Sequence, residues 1–269
     1  MIANLGQATV RRINLFGDFC RFSGRAFAWI PNGLSSWRKL RLLAQQFYEI
    51  GTKSIPVVMI TGVFVGMVLA VQVSQQFKSV GLEAQMGAIV NLSVLRELGP
   101  VLAGIMLAGR VGGGLTAELG TMRVTEQIDA LRAMGADPIR VLVVPRLIAC
   151  TVMIPILVLY ADFMGIWGGY VVSVHVYGVD STDFWRFAER SVLMFDIFFG
   201  PIKCFFFGIA LSLISCHKGF RCAPGAAGVG RACTEAFVAS AMAILCLNFF
   251  LGMLLTTLAI RIWGFTPIL

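Results

Sequence analysis

Charge is what this sequence has least of. Only 13% of its 269 residues are Asp, Glu, Lys or Arg, about half the share of an ordinary soluble domain. Apolar residues make up 58%, which excludes a large soluble domain and places the chain among integral membrane proteins. Histidine occurs only as His175 and His217, so no pair stands at ligand spacing, and neither HExxH nor GxSxG is present. These absences argue against a membrane-embedded protease or hydrolase. No Gly-Lys dipeptide occurs, so no P-loop can cradle a nucleotide. The seven cysteines are odd in number, irregular in spacing and free of CxxC, which excludes a disulfide framework. Cys216, His217 and Cys222 lack a fourth partner for a metal. No internal repeat or low-complexity tract is present.

What the chain does have is long apolar runs. Five spans are expected: Ile55–Val73, Gly87–Ala108, Leu147–Val174, Asp196–Ser215 and Ala236–Ile260. The fold class is therefore all-α and membrane-integral. Gly62 and Gly66 form a GxxxG pair, which permits close helix packing or reflects only the abundance of Gly in membrane helices. Residues 1–53 alternate basic residues with Phe, Trp and Ile, the composition of an amphipathic segment lying in a membrane interface. The RRINLF stretch is no signal sequence, because Asp18, Arg21 and Arg25 interrupt the apolar region a signal needs. The expected division is 1–53 as the interfacial segment and 54–269 as a five-span domain.

The net charge of +8 is unevenly placed. Eight Lys/Arg lie in the first 53 residues, and Arg110, Arg123, Arg132, Arg140 and Arg146 surround the 2–3 connection. Lys218, Arg221 and Arg231 lie in the 4–5 connection. The 1–2 loop has only Lys78, and the 3–4 loop is rich in Asp and Glu. The positive-inside rule puts the N-terminus and both basic connections in the cytoplasm and the C-terminus outside. The same distribution explains the basic balance without nucleic acid.

The 2–3 connection contains TMRVTEQIDALRAMGADPIRVLVVPR, Thr121–Arg146. It predicts one polar helix over about 121–136, with Thr121 or Thr125 as cap and Gly135 and Pro138 as terminators. Val124, Ile128 and Leu131 form an apolar stripe, and Glu126, Asp129 and Arg132 lie off it. So short a helix has little protein of its own to cover that stripe. A groove on a soluble partner or the membrane surface would do so.

The run LRELGPVLAGIMLAGRVGGGLTAELGTMRVTEQIDALRAMGADPIRVLVVPRLIA, Leu95–Ala149, resembles the MlaE/YrbE family, permease subunits of ABC systems that move phospholipids between the two membranes of Gram-negative envelopes. GIWGG at Gly165–Gly169 and the five spans extend the resemblance over most of the chain. It implies a homodimer in the bacterial inner membrane, with an interfacial N-terminal helix and a cytoplasmic coupling helix docked on a separate ABC ATPase. It also implies a hexamer of MCE-domain proteins on the periplasmic side and a small STAS-domain protein. No cofactor would be bound by this chain; ATP and magnesium would be used by the partner. Thr125, Glu126, Ile128, Asp129, Leu131, Arg132 and Met134 would form the coupling surface. A membrane subunit of a small-solute ABC importer is the alternative.

Arg96 and Glu97 fall near the middle of the second expected span, where a charge costs roughly 2.5–3.5 kcal/mol. Adjacent helical residues point about 100° apart, so each needs its own partner, in a cavity or on another helix. Gly99-Pro100 follows, and the proline frees a carbonyl that could line a polar cavity. Lys203 could snorkel to the outer interface or face inward, and Asn248 could hydrogen-bond between helices. The resemblance implies a lipid path along Arg96, Glu97, Leu98, Lys203 and Asn248, with Asn248 standing where the family often has Asp. Asp162 reads as packing or cavity rim, and Glu118 as structural.

Overall fold

The computed structural model describes residues 2–30, 37–78 and 85–263, and the side chains of 13–30, 43–77 and 85–261 within them. Arg11, Arg12, Arg38, Lys39, Arg41 and Lys78 of the charge map fall outside the described side chains. Every described element is helical: α1 (Ile2–Ala28), α2 (Trp37–Ile50), α3 (Ile55–Lys78), α4 (Met86–Val124), α5 (Gln127–Ala133), α6 (Ile139–Val176), α7 (Ser181–Ser191), α8 (Met194–Phe220) and α9 (Ala226–Trp263). Among the described residues, five stretches are long and apolar enough to cross a membrane: Leu43–Phe77, Met86–Val124, Ile139–Val176, Met194–Phe220 and Ala226–Arg261.

The spans outrun their expected limits because helix continues where apolarity stops. α4 has 39 residues, about 58 Å at 1.5 Å per residue against a hydrocarbon core of roughly 30 Å. Its Gly112–Gly114 run stays helical, so residues 109–124 of the 2–3 connection are an extension of the span. α2 leads through Gly51 and a 3₁₀ turn, Thr52–Ser54, directly into α3. α2 joins the main core, where Ile50 packs with Val58, Leu107, Ile154, Leu157, Phe207 and Ile244. The 3–4 connection holds α7, capped by Asp180, whose Oδ1 accepts the Thr182 N–H at 2.7 Å. Its Phe184 is buried with Met86, Val90 and Val172.

α1 uses its faces separately. Phe19, Phe22 and Ala26 pack on Leu119, Val143, Leu147 and Leu213, whereas Ile13, Phe16 and Phe27 are exposed. Asp18, Arg21 and Arg25 occupy a third strip, as their spacing of three and four requires. Two ion pairs tether the helix: Asp18 to Arg221 at 2.7 Å and Arg25 to Asp137 at 3.0 Å. The Arg221 guanidinium holds the Asp18 carboxyl below the usual carboxylate range. Cys150, Cys204 and Cys216 are buried among apolar side chains, and Phe19 and Phe22 stack edge-on against His217.

The GxxxG pair sets the closest helix approach. A Cβ on Gly62 would strike the Ala161 carbonyl, and one on Gly66 the Gly165 carbonyl. From the other side, Gly168 of GIWGG meets the Val63 carbonyl. α3 and α6 therefore touch backbone to backbone. Gly66→Leu is expected to cost at least about 1–3 kcal/mol through overpacking. A melting curve of the detergent-purified protein checks this, and an unchanged midpoint contradicts it.

Candidate functional site

The site begins at a backbone defect. Val94–Leu98 is a π-helical segment in which the Gly99 N–H bonds the Val94 carbonyl, five residues back. Pro100 follows and has no N–H. The Arg96 carbonyl, which residue 100 would serve in a regular α-helix, is left open. Lys203 of α8 fills the vacancy, its Nζ donating to that carbonyl at 2.9 Å.

The same ammonium donates to Glu97 Oε1 at 2.8 Å and to Asn248 Oδ1 of α9 at 3.2 Å. Asn248 Nδ2 donates in turn to Glu97 Oε2 at 3.0 Å, which closes a ring across α4, α8 and α9. Gly252, one turn beyond Asn248, packs against the ring: a Cβ there would sit in contact, 3.4 Å from both Glu97 Oε1 and Lys203 Nζ. The Phe199 ring covers the ammonium, its centroid 4.5 Å away. Lys203 is fully buried and does not snorkel to either end of the bundle.

Arg96 turns the other way, as adjacency on a helix demands. Its Nε and a terminal nitrogen both reach Asp196 Oδ1, at 2.7 and 2.6 Å. Asp196 Oδ2 accepts the Leu193 N–H at 2.9 Å, so the carboxylate also caps α8. Asp196 and Lys203 are seven residues apart, two turns on one face of α8, and receive the two neighbours from α4. The four charges balance. The site is buried on one side and open on the other: Lys203 and Asp196 have 0% side-chain exposure, Arg96 has 32% and Glu97 48%. Leu98, Leu102 and Met106 continue the open edge along α4. Phe249, Phe250 and Met253 of α9 are also exposed.

Arg96 lies ten residues from the start of a 39-residue helix, not near its middle, and beside the Met194 end of α8. The displacement follows from the extension of α4 to Val124. Asp196 was not among the expected site residues. Its signal was present: an acid at the start of an apolar run, in register with Lys203. Asp162 is buried against Gly99 and Gly200. Glu118 pairs with Arg146 at 2.7 Å.

The Thr121–Arg146 stretch differs from expectation. Thr121 to Val124 end α4, and the chain breaks at Glu126, which has φ 60°. Thr125 ends α4 and does not cap the start of the next helix; its hydroxyl donates back to the Thr121 carbonyl at 2.9 Å. α5 therefore runs Gln127–Ala133. Gly135, at φ 75°, ends it in a Schellman turn, with Gly135 N–H to Arg132 and Ala136 N–H to Leu131. Asp137 Oδ1 then accepts the Ile139 N–H at 3.0 Å and starts α6, and Oδ2 takes Trp29 at 3.1 Å as well as Arg25. Gly-Ala-Asp-Pro thus stops one helix, begins the next and anchors α1. The apolar stripe is not wholly available to a partner, because Ile128 is buried within the chain and Leu131 is half-buried. Thr125, Glu126, Asp129, Arg132 and Met134 are exposed, and Asp129 holds Arg123 at 2.6 Å and Arg132 at 2.9 Å. Beside α5, a cleft of about 720 Å³ is lined by Arg21, Arg25, Arg132 and Arg221 with Asp18 and Asp137.

Comparison with known proteins gives a consistent family. The sequence profile of Permease MlaE matches residues 43–254. A probable ABC transporter permease protein of Rickettsia felis is 42% identical over 249 residues, 92% of this chain and 95% of that one. The intermembrane phospholipid transport system permease protein MlaE of Haemophilus influenzae is 37% identical over 256 residues, 93% and 97% of the two chains. The chloroplastic protein TRIGALACTOSYLDIACYLGLYCEROL 1 of Arabidopsis thaliana is 38% identical over 230 residues, 86% of this chain and 65% of that one.

Proposed function

The chain belongs to the MlaE permease family, and from that premise we propose that it is the membrane subunit of an ABC transporter that moves phospholipids between an inner and an outer membrane, maintaining outer-membrane lipid asymmetry. The observation that carries this reading is the half-open ion network on α4. It sets charged groups beside exposed apolar surface, which matches an amphipathic cargo better than a small solute.

The phospholipid head group lies near Arg96, whose planar fork suits phosphate, and the acyl chains lie along the exposed faces of α3, α4 and α9. Two copies of the chain enclose this space. α5 docks on a separate cytoplasmic ABC ATPase through Thr125, Glu126, Asp129, Arg132 and Met134. The arginine-lined cleft beside it supports a cytoplasmic placement of that end, by the positive-inside rule. The opposite end, with α7, faces the periplasm, where a hexamer of MCE-domain proteins receives or delivers lipid. A STAS-domain protein completes the cytoplasmic side. Closure of the ATPase pushes α5. α4 and α6, directly joined to it, shift, and the groups on α4 separate from Asp196 and Lys203.

Reconstitution into vesicles with the partner ATPase tests the proposal. Labelled phospholipid should leave the donor vesicles only with ATP, and Met134→Asp should uncouple ATPase activity from that movement. ATP-driven uptake of a small solute with no lipid movement would overturn it.

A further inference from the structure

The π-helical segment opens a second carbonyl besides that of Arg96. The Gly99 N–H, the regular α-helical donor to Leu95, is committed to Val94. The next N–H along would be that of Pro100, which does not exist. The Leu95 carbonyl therefore has no donor within its own helix, and a buried carbonyl without one is a rare and costly state. It sits against Gly200 of α8, 3.0 Å from the point a Cβ there would occupy. Asp162 Oδ2 lies 3.4 Å from that same point, and Oδ1 packs on Gly99. Asp162 itself is 2% exposed, and neither of its oxygens has a hydrogen-bond partner among the described residues. One notch between two glycines thus holds an acceptor lacking a donor and a carboxyl lacking a partner.

We propose that Asp162 is the positioning residue of the site: its carboxyl donates a hydrogen bond to the Leu95 carbonyl and holds the π-helical segment in the register that aims Arg96 and Glu97 at α8. Lys203 and Glu97 of the site are already satisfied by the ring with Asn248. Cys204 also lies on the α8 side and is buried. Lys203 serves the Arg96 carbonyl and Asp162 the Leu95 carbonyl, so the two acceptors stranded by the π segment and Pro100 are each met from a different helix. Gly99 is small because the carboxyl occupies the space its side chain would take, whereas at Gly200 that space is filled by the Pro100 ring and the Leu95 carbonyl.

Two readouts test this. Infrared spectra of the purified chain and of Asp162→Asn should differ by a carboxylic-acid C=O band that is present in the parent, shifts in deuterated water and is missing in the variant. This readout does not depend on what the permease carries. Bound phospholipid is then measured, which rests on the proposed function. Asp162→Asn, whose amide can still donate, should retain phospholipid near the parental level. Asp162→Leu, of similar shape without a donor, should lose about tenfold or more, as leaving a buried carbonyl unmet predicts. Absence of the infrared band overturns the proposal, as does full phospholipid retention by Asp162→Leu. If the Leu variant does not fold, the infrared comparison of parent and Asn variant decides alone. If the band is present and no chain binds phospholipid, the proposed function fails while the role of Asp162 stands.

Discussion

Lys203→Met is expected to abolish phospholipid movement and to lower bundle stability by about 3–5 kcal/mol, the usual penalty for removing one partner of a buried ion pair. Met keeps the length and apolar stem of Lys but none of its donors. The Arg96 carbonyl, Glu97 Oε1 and Asn248 Oδ1 would all lose the ammonium at once. The loss falls on three helices, so α4, α8 and α9 should loosen together. Thermal unfolding of the purified protein and the vesicle assay check it; near-normal values in both would show that the ring is dispensable. Asn248→Asp should be milder. It turns one donor contact to Glu97 into a repulsive one, but Lys203 still stands between the two acids.

The second large effect concerns Arg96 and Asp196. Arg96→Asp alone leaves the buried Asp196 carboxylate without its cation and sets a second acid on the facing helix, and Asp196→Arg alone buries a guanidinium beside another. Each single change should destabilise the bundle by about 3–5 kcal/mol. In the double exchange the pair re-forms with its charges reversed and part of the stability should return, the shortfall being the α8 cap that Asp196 gives to the Leu193 N–H. Transport should not return, because phosphate would then meet a carboxylate at position 96. Melting curves of the three variants, set beside their lipid movement, separate the two roles. Recovery of transport in the double variant would make Arg96 a packing residue only.

Much of the architecture was legible because the membrane imposes long apolar runs, and five of them are plain in the sequence. The isolated charges were legible for the same reason: Arg96, Glu97 and Lys203 stand out against an apolar background, and the Gly99-Pro100 pair beside them announced a freed carbonyl. What periodicity cannot show is which helix supplies the partner. Lys203 could be read as reaching for an interface until α8 was seen to turn it toward α4. Asp196 was hidden at an expected span boundary, where an acid needs no explanation. The turn at Glu126 was hidden because a left-handed non-Gly residue leaves no compositional mark, so one polar helix was expected where the chain forms the tail of α4 and a separate α5. Ile128 looked available to a partner because its cover is tertiary.

The most direct measurement is phospholipid bound per assembled complex. The chain is co-expressed with its ABC ATPase, purified in mild detergent, and its lipid quantified for the parent, Arg96→Ala and Glu97→Ala. Retention by the parent, with loss in both variants while the complex remains assembled, is the expected result and fixes the half-open edge of α4 as the lipid site. Equal retention in all three would contradict it and send the lipid path elsewhere, and no phospholipid in the parent would contradict a lipid cargo altogether.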